Sequence, residues 1–281
     1  ELEYTLNRIN DENRYFNQQM HEKYLKSTGS NLYLNDSEKT WLASHGTVRV
    51  GYMKDYLPFC AKDAETRQLT GALKEYLEYA AGVIKNVDLR FDAIAFDSIA
   101  DAIEALKAGQ INCVFPANFG ESDAEDMGLI TTPSVMSAEI YEIVREDAVE
   151  NFGSRLNVKV AVDEGNVNYE KVLGEKFPSF KVIYYPDIKT CLEAVANREA
   201  DTVLVSNFRY NNLTKHCDRL GLTPISTGIS MDNAFVTVRG DTELHSILNK
   251  TVGMVPTAKT NSVMTKYISE QEEQLTFIEF L

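Results

Sequence analysis

Apolar and polar positions along the chain alternate between a strand period and a helix period. Val48 to Val50 forms a short apolar run into Gly51, followed by a loop carrying Tyr56, Pro58 and Phe59. Helical spacing begins after Gly71, with Leu73, Leu77, Ala80, Ala81 and Ile84 recurring over residues 72–85. The pattern next predicts a strand at 87–96, a helix capped by Ser98 that runs to Lys107 and ends at Gly109, and strands at 111–115 and 138–145. A second round follows. A strand at 159–162 ends in Asp163-Glu-Gly165, then come helix 167–177, strand 180–185, helix 188–198, strand 202–205 and a short helix 208–217. Strand 235–238 and helices 241–253 and 257–271 finish the chain. Upstream, residues 2–26 have helical spacing, Ser27 to Ser30 breaks it, and Asp36 or Ser37 caps a short helix ending at His45, with Trp41 and Leu42 facing inward.

Strands alternating with helices in two runs, 47–130 and 155–210, predict an α/β protein with mainly parallel sheets. Residues 131–146 join the runs as an extended crossing, and the chain turns back near 224–234. Two lobes connected twice enclose a cleft and can hinge about the crossings. Residues 37–133 with 225–281 form lobe one and 134–224 form lobe two. Residues 1–36 are an N-terminal helix and linker, read as the end of a preceding tandem domain.

Composition narrows the partners. With 281 residues, 44% hydrophobic and 25% charged, the chain can bury a sizeable core, and disorder is not the default. The net charge of −14 repels phosphate backbones, which argues against a nucleic-acid partner. Cys60, Cys113, Cys191 and Cys217 form no C-x-x-C pair and no zinc spacing, and the four histidines (His21, His45, His216, His245) stand far apart. No nucleophile motif, Walker loop or metalloprotease signature is present, so no catalytic set, metal or cofactor is expected. Asp55, Asp97 and Asp163 end strands and are the acids most able to meet in a cleft. No apolar run approaches the roughly 18 residues of a membrane helix. The start at Glu1 reads as a fragment or processed form.

The order of strand 48–52, loop Tyr56-Leu-Pro-Phe59, Gly71, Asp101-Ala-Ile-Glu-Ala-Leu-Lys-Ala-Gly109, Ile111-Asn-Cys-Val-Phe115, Val160-Ala-Val-Asp-Glu-Gly165 and Ala200-Asp-Thr-Val-Leu-Val205 resembles the class II periplasmic solute-binding fold over residues 38–270. The lead-in Ser37-Glu-Lys-Thr-Trp-Leu-Ala-Ser-His45 is similar to Venus-flytrap sensor domains of bacterial membrane receptors, some fused to diguanylate cyclases or histidine kinases. The resemblance implies a two-lobed clamshell outside the cytoplasm, in a membrane-anchored parent protein, that closes on a small polar or aromatic solute and signals to a membrane-linked output module. It also implies the contacts. Tyr56 and Phe59 face the cleft from lobe one, as do Phe115, Ala117 and Asn118 after the third strand. Gly165, Asn166 and Asn168 offer a helix N-terminus from lobe two, beside Asn207 and Arg209. Two departures stand out. No Arg follows Asn118, where residues 119–126 carry four acids, and Asn207 stands where amino-acid binders often place Asp. Both argue against a zwitterionic amino acid. An importer subunit that delivers solute to an ABC permease and a dehydratase-like enzyme share the fold and remain alternatives, as does a clamshell that contacts only a partner protein.

Overall fold

Asn35 caps the first helix among the described residues of the computed structural model, which are 32–85, 87–153, 157–164, 173–174, 177–255, 260 and 262–268. The Asn35 side chain accepts from the Glu38 N–H at 2.9 Å, and Glu38 Oε2 accepts from the Asn35 N–H at 2.7 Å. This capping box puts the cap at Asn35 rather than at the expected Asp36 or Ser37, because only a residue three before Glu38 can exchange both bonds. Helix α1 (Asp36–His45) buries Trp41 and Leu42 as expected and also buries Glu38. The expected helix at 2–26 lies outside the described residues.

Strand β1 (Val48–Met53) is buried or half-buried along its whole length and sits inside a sheet, between β5 and β6. After it the chain makes a small three-stranded sheet, β2 (Asp55–Tyr56), β3 (Cys60–Lys62) and β4 (Leu69–Thr70), which the sequence pattern reads only as a loop. Helix α2 (Ala72–Val83) then returns to strand β5 (Phe91–Phe96), and α3 (Ile99–Lys107) leads to β6 (Cys113–Ala117). Ser98 caps α3 by accepting from the Asp101 N–H at 3.1 Å. The acidic stretch after β6, expected as a loop, forms helix α4 (Glu121–Asp126), followed by β7 (Leu129–Thr131).

Two long strands carry the chain between lobes. Strand β8 (Met136–Arg145) crosses outward; β12 (Leu222–Val238) returns. Lobe two lies between them, with α5 (Val149–Phe152), β9 (Val158–Asp163), β10 (Phe180–Tyr185), α6 (Ile188–Ala196), β11 (Thr202–Ser206) and α7 (Asn207–Arg219). Helix α8 (Thr242–Met254) follows β12 back in lobe one.

The strand order runs β10-β9-β11-β8-β12-β6-β1-β5, with β7 on the flank of β12. Each lobe therefore repeats one scheme: three parallel strands in the order second, first, third, then an antiparallel strand that crosses from the other lobe. In lobe one that crossing strand is β12, against β6; in lobe two it is β8, against β11. The crossings pair with each other through Met136–Glu139 and Ser230–Asn233, and a bulge at 226–230 places Gly228 at φ 67°. Each sheet is covered on both faces. Val50, Leu73, Phe115, Phe235 and Leu248 pack on one face of lobe one, and Ile103, Leu106, Val114 and Val236 on the other. Ile143, Leu192, Val203 and Cys217 fill one side of lobe two, and Val144, Val160, Val162 and Leu173 the other.

Candidate functional site

The carboxyl ends of the parallel strands converge on the crossing strands, and a cavity that opens to solvent lies there. In open α/β sheets this is where ligands bind. Tyr56 and Asn118 line it from lobe one. Asp163, Ile188, Leu204, Val205, Ser206 and Arg209 line it from lobe two, and Ala138, Ile140, Met231 and Asn233 come from the crossing strands.

Local sequence explains these placements. Gly71 precedes α2 at φ 95°, and a Cβ there would lie 2.9 Å from Cys60 Cα and from the Phe59 carbonyl. That close approach lets the Pro58 and Phe59 carbonyls accept from the Ala72 and Leu73 N–H groups at 2.9 and 2.8 Å. The aromatic loop thus closes the N-terminus of α2 and holds Tyr56 over the cleft. On lobe two, Ser206 caps α7 by accepting from the Arg209 N–H at 3.2 Å, which sets Arg209 in the first helical turn.

Side chains meet across the cleft. The Arg209 guanidinium lies 4.3 Å from the centre of the Tyr56 ring. Phe208 meets Phe59 edge to face at 6.3 Å and packs against the core of lobe one. Tyr56 stacks on Phe59 at 5.4 Å. Burial raises the Tyr56 phenol above its ordinary range; the Arg209 charge opposes that, and the Asp163 charge reinforces it. The cavity carries one fixed charge of each sign, Arg209 and Asp163, beside neutral amides and apolar walls.

Of the sequence-named residues, Tyr56, Asn118 and Arg209 line this cavity. Phe59, Phe115 and Ala117 are fully buried in the two cores of lobe one, because the loop and β6 turn them inward. Asn207 is not among the lining residues; its Oδ1 is buried without a hydrogen-bond partner, while Arg209 two positions on takes the place at the cleft. Gly165, Asn166 and Asn168 lie outside the described residues. Among the strand-end acids Asp163 reaches the cavity, whereas Asp97 pairs with Lys54. Met231 and Asn233 carried no usable signal, since the length of β12 depends on pairing with β8. Among the described residues no three His, Cys, Asp or Glu side chains converge as a metal site. His45 stacks on Trp41 at 4.1 Å, His245 Nε2 sits 3.0 Å from the Thr131 carbonyl and His216 packs on α7, all away from the cavity.

No protein-family model matches the chain. The virulence sensor protein BvgS of Bordetella pertussis is 22% identical over 237 residues, 82% of this chain, so the chain spans about a fifth of that relative's length, 18%. The crystal structure of the BvgS periplasmic VFT2 domain superposes with a TM-score of 0.70 at 22% identity, covering 84% of this chain and 99% of that domain. The fold is the Venus flytrap of the class II periplasmic binding proteins. A histidine kinase sensor domain similar to periplasmic binding proteins has the same Venus-flytrap fold, with a TM-score of 0.66 at 18% identity over 79% of this chain and 96% of its own. Among the described residues no helix is long and apolar enough to cross a membrane.

Proposed function

We propose that the chain is an extracytoplasmic sensor domain that closes on a small polar solute and passes closure to a membrane-linked output module. One observation carries this reading: both lobes and both crossing strands line a single cavity that holds Arg209 and Asp163. A guanidinium grips a carboxylate and an acid takes an ammonium, so the lining suits a solute bearing one charge of each sign. This reading departs from the sequence expectation, in which the missing Arg after Asn118 and the Asn at 207 argued against a zwitterionic amino acid; Arg209 and Asp163 offer the two charges from other positions. The sensor domains among the structural relatives support the signalling half of the reading.

The docking of the flanking segments supports a direction for the signal. Leu32 bridges to Ile84 at the end of α2, and Lys266 and Tyr267 bond Glu75 of α2 at 2.9 and 3.2 Å. Both segments thus grip lobe one, which leaves lobe two as the jaw that moves. A ligand drives that movement only through its extra affinity for the closed form.

The test is thermal melting against amino acids, amines and small aromatic acids. A true ligand at a hundred times its Kd raises the melting temperature by roughly 5–10 °C. If no compound in the set moves the transition and titration calorimetry shows no heat, the solute-sensing reading fails.

A further inference from the structure

The two lobes of this Venus flytrap meet through their own side chains. Arg209 and Phe208 sit in the first turn of α7 on lobe two, and Tyr56 and Phe59 sit on the loop between β2 and β3 on lobe one. The guanidinium covers the Tyr56 ring at 4.3 Å, and the two phenylalanines meet edge to face at 6.3 Å. Phe208 is half in the core of the opposite lobe. Phe59 is fully buried, so the surface that receives Phe208 is a fixed part of lobe one.

We propose that Phe208 and Arg209 form a clasp, with Phe59 and Tyr56 as its catch, that stabilises the closed clamshell by contacts within the protein itself. Three features argue for it. The contacts are aromatic and cation–π, so they keep their strength where water is excluded. Both catch residues are rigidly held: the Phe59 carbonyl bonds the Leu73 N–H at 2.8 Å, and Gly71 lets the loop sit against α2. Both clasp residues follow the Ser206 cap, whose bond to the Arg209 N–H orients the first turn of α7. The charge that grips a solute is therefore also the charge that holds Tyr56. A solute that takes Arg209 exchanges one cross-lobe contact for another, and its effect on closure is the difference between the two.

The experiment reads the distance between lobes with no solute added. Spin labels go on Lys107→Cys in lobe one and Asn197→Cys in lobe two, both exposed, in protein unfolded and refolded to strip any carried-over solute. The unsubstituted clasp gives a distribution dominated by the short, closed distance. Arg209→Gln shifts the closed-to-open ratio by roughly tenfold toward open, the scale of one partly exposed cation–π contact, and Tyr56→Leu does the same. Tyr56→Phe keeps the ring and keeps the closed distribution; Arg209→Lys keeps the charge without the flat guanidinium and falls between. Circular dichroism and melting establish that each variant is folded. Distributions for Arg209→Gln and Tyr56→Leu that superpose on the parent overturn the clasp, and so does a Tyr56→Phe protein as open as Tyr56→Leu. Since no solute enters the measurement, a negative result leaves the sensor reading intact, and a solute-blind protein with an intact clasp overturns only the sensor reading.

Discussion

Glu38 and Lys250 are 212 positions apart in sequence, and the Lys250 ammonium donates to Glu38 Oε2 at 2.7 Å. Glu38 is only 1% exposed, and it also accepts from the Ser246 hydroxyl at 2.7 Å and from the Asn35 N–H. One buried carboxylate thus caps α1 and fastens it to α8. The lead-in helix is part of lobe one rather than a tether.

Replacing Glu38 by Ala removes all three bonds and leaves the Asn35 N–H and Lys250 without this acceptor. Lys250 is half-buried and can turn to water, which tempers the loss. The expected destabilisation is about 2 kcal/mol by urea unfolding. A change within experimental error would show that α1 is held by Trp41 and Leu42 alone.

The same carboxylate gives a pH dependence. Burial by itself raises its pKa, but the bonds from Lys250, Ser246 and Asn35 outweigh burial and hold it below the ordinary value. A group depressed in the folded state contributes stability that is complete above the unfolded pKa and is lost as pH falls through the folded one. The parent should therefore lose more stability than Glu38→Gln on acidification below the ordinary carboxylate range, with no difference in slope at neutral pH. Parallel acid-unfolding curves for the two proteins would count against it.

Gly71 and Gly109 separate two costs of a side chain. Both have positive φ, 95° and 70°. A Cβ at Gly109 meets nothing within 4 Å, while one at Gly71 strikes the backbone of Phe59 and Cys60. Gly109→Ala is expected to cost about 1 kcal/mol, the backbone penalty alone. Gly71→Ala is expected to cost more, about 3 kcal/mol, and to displace the loop that carries Tyr56. Thermal melting ranks the pair; equal losses would remove the close approach as the reason for Gly71.

All four cysteines are buried. Burial pushes the Cys60, Cys191 and Cys217 thiols up to about 12, and Cys113 higher still. At pH 8 a thiol with such a pKa is ionised in about one molecule in ten thousand, and the thiolate is the reactive form. A disulfide-exchange dye should titrate none of them in the native protein and all four in guanidinium. A fast native reaction at any one would show that its lobe opens readily.

Asn118 and Asp163 separate folding from recognition. Both line the cavity from outside the clasp. For any solute that raises the melting temperature, Asn118→Ala and Asp163→Asn should each shrink that rise, with affinity lower by roughly tenfold, the loss expected from one hydrogen bond to a charged group. The Asp163→Asn effect should be larger for solutes that carry an amine. Unchanged shifts in both variants would move the solute elsewhere.

Much of this architecture was legible in the chain because it is local. The periodicity of 72–83, the Ser98 cap, the Gly109 stop and the apolar runs at 48–50 and 202–205 are set by neighbouring residues, and they determine two rounds of strand and helix. Their order also carries the resemblance to a clamshell. The site was legible near the carboxyl ends of strands, as at Tyr56, Asn118, Asp163 and Arg209. What tertiary structure decided is everything that depends on distant pairing. β12 is 17 residues long because β8 and β6 pair with it from two lobes, and that alternation brings Met231 and Asn233 to the cavity. Phe59 reads as a cleft residue and becomes core, while Arg209 reads as a cleft residue and also lies over the Tyr56 ring of the other lobe. A side chain's surroundings come from strands and loops more than a hundred residues away, and no local pattern encodes them.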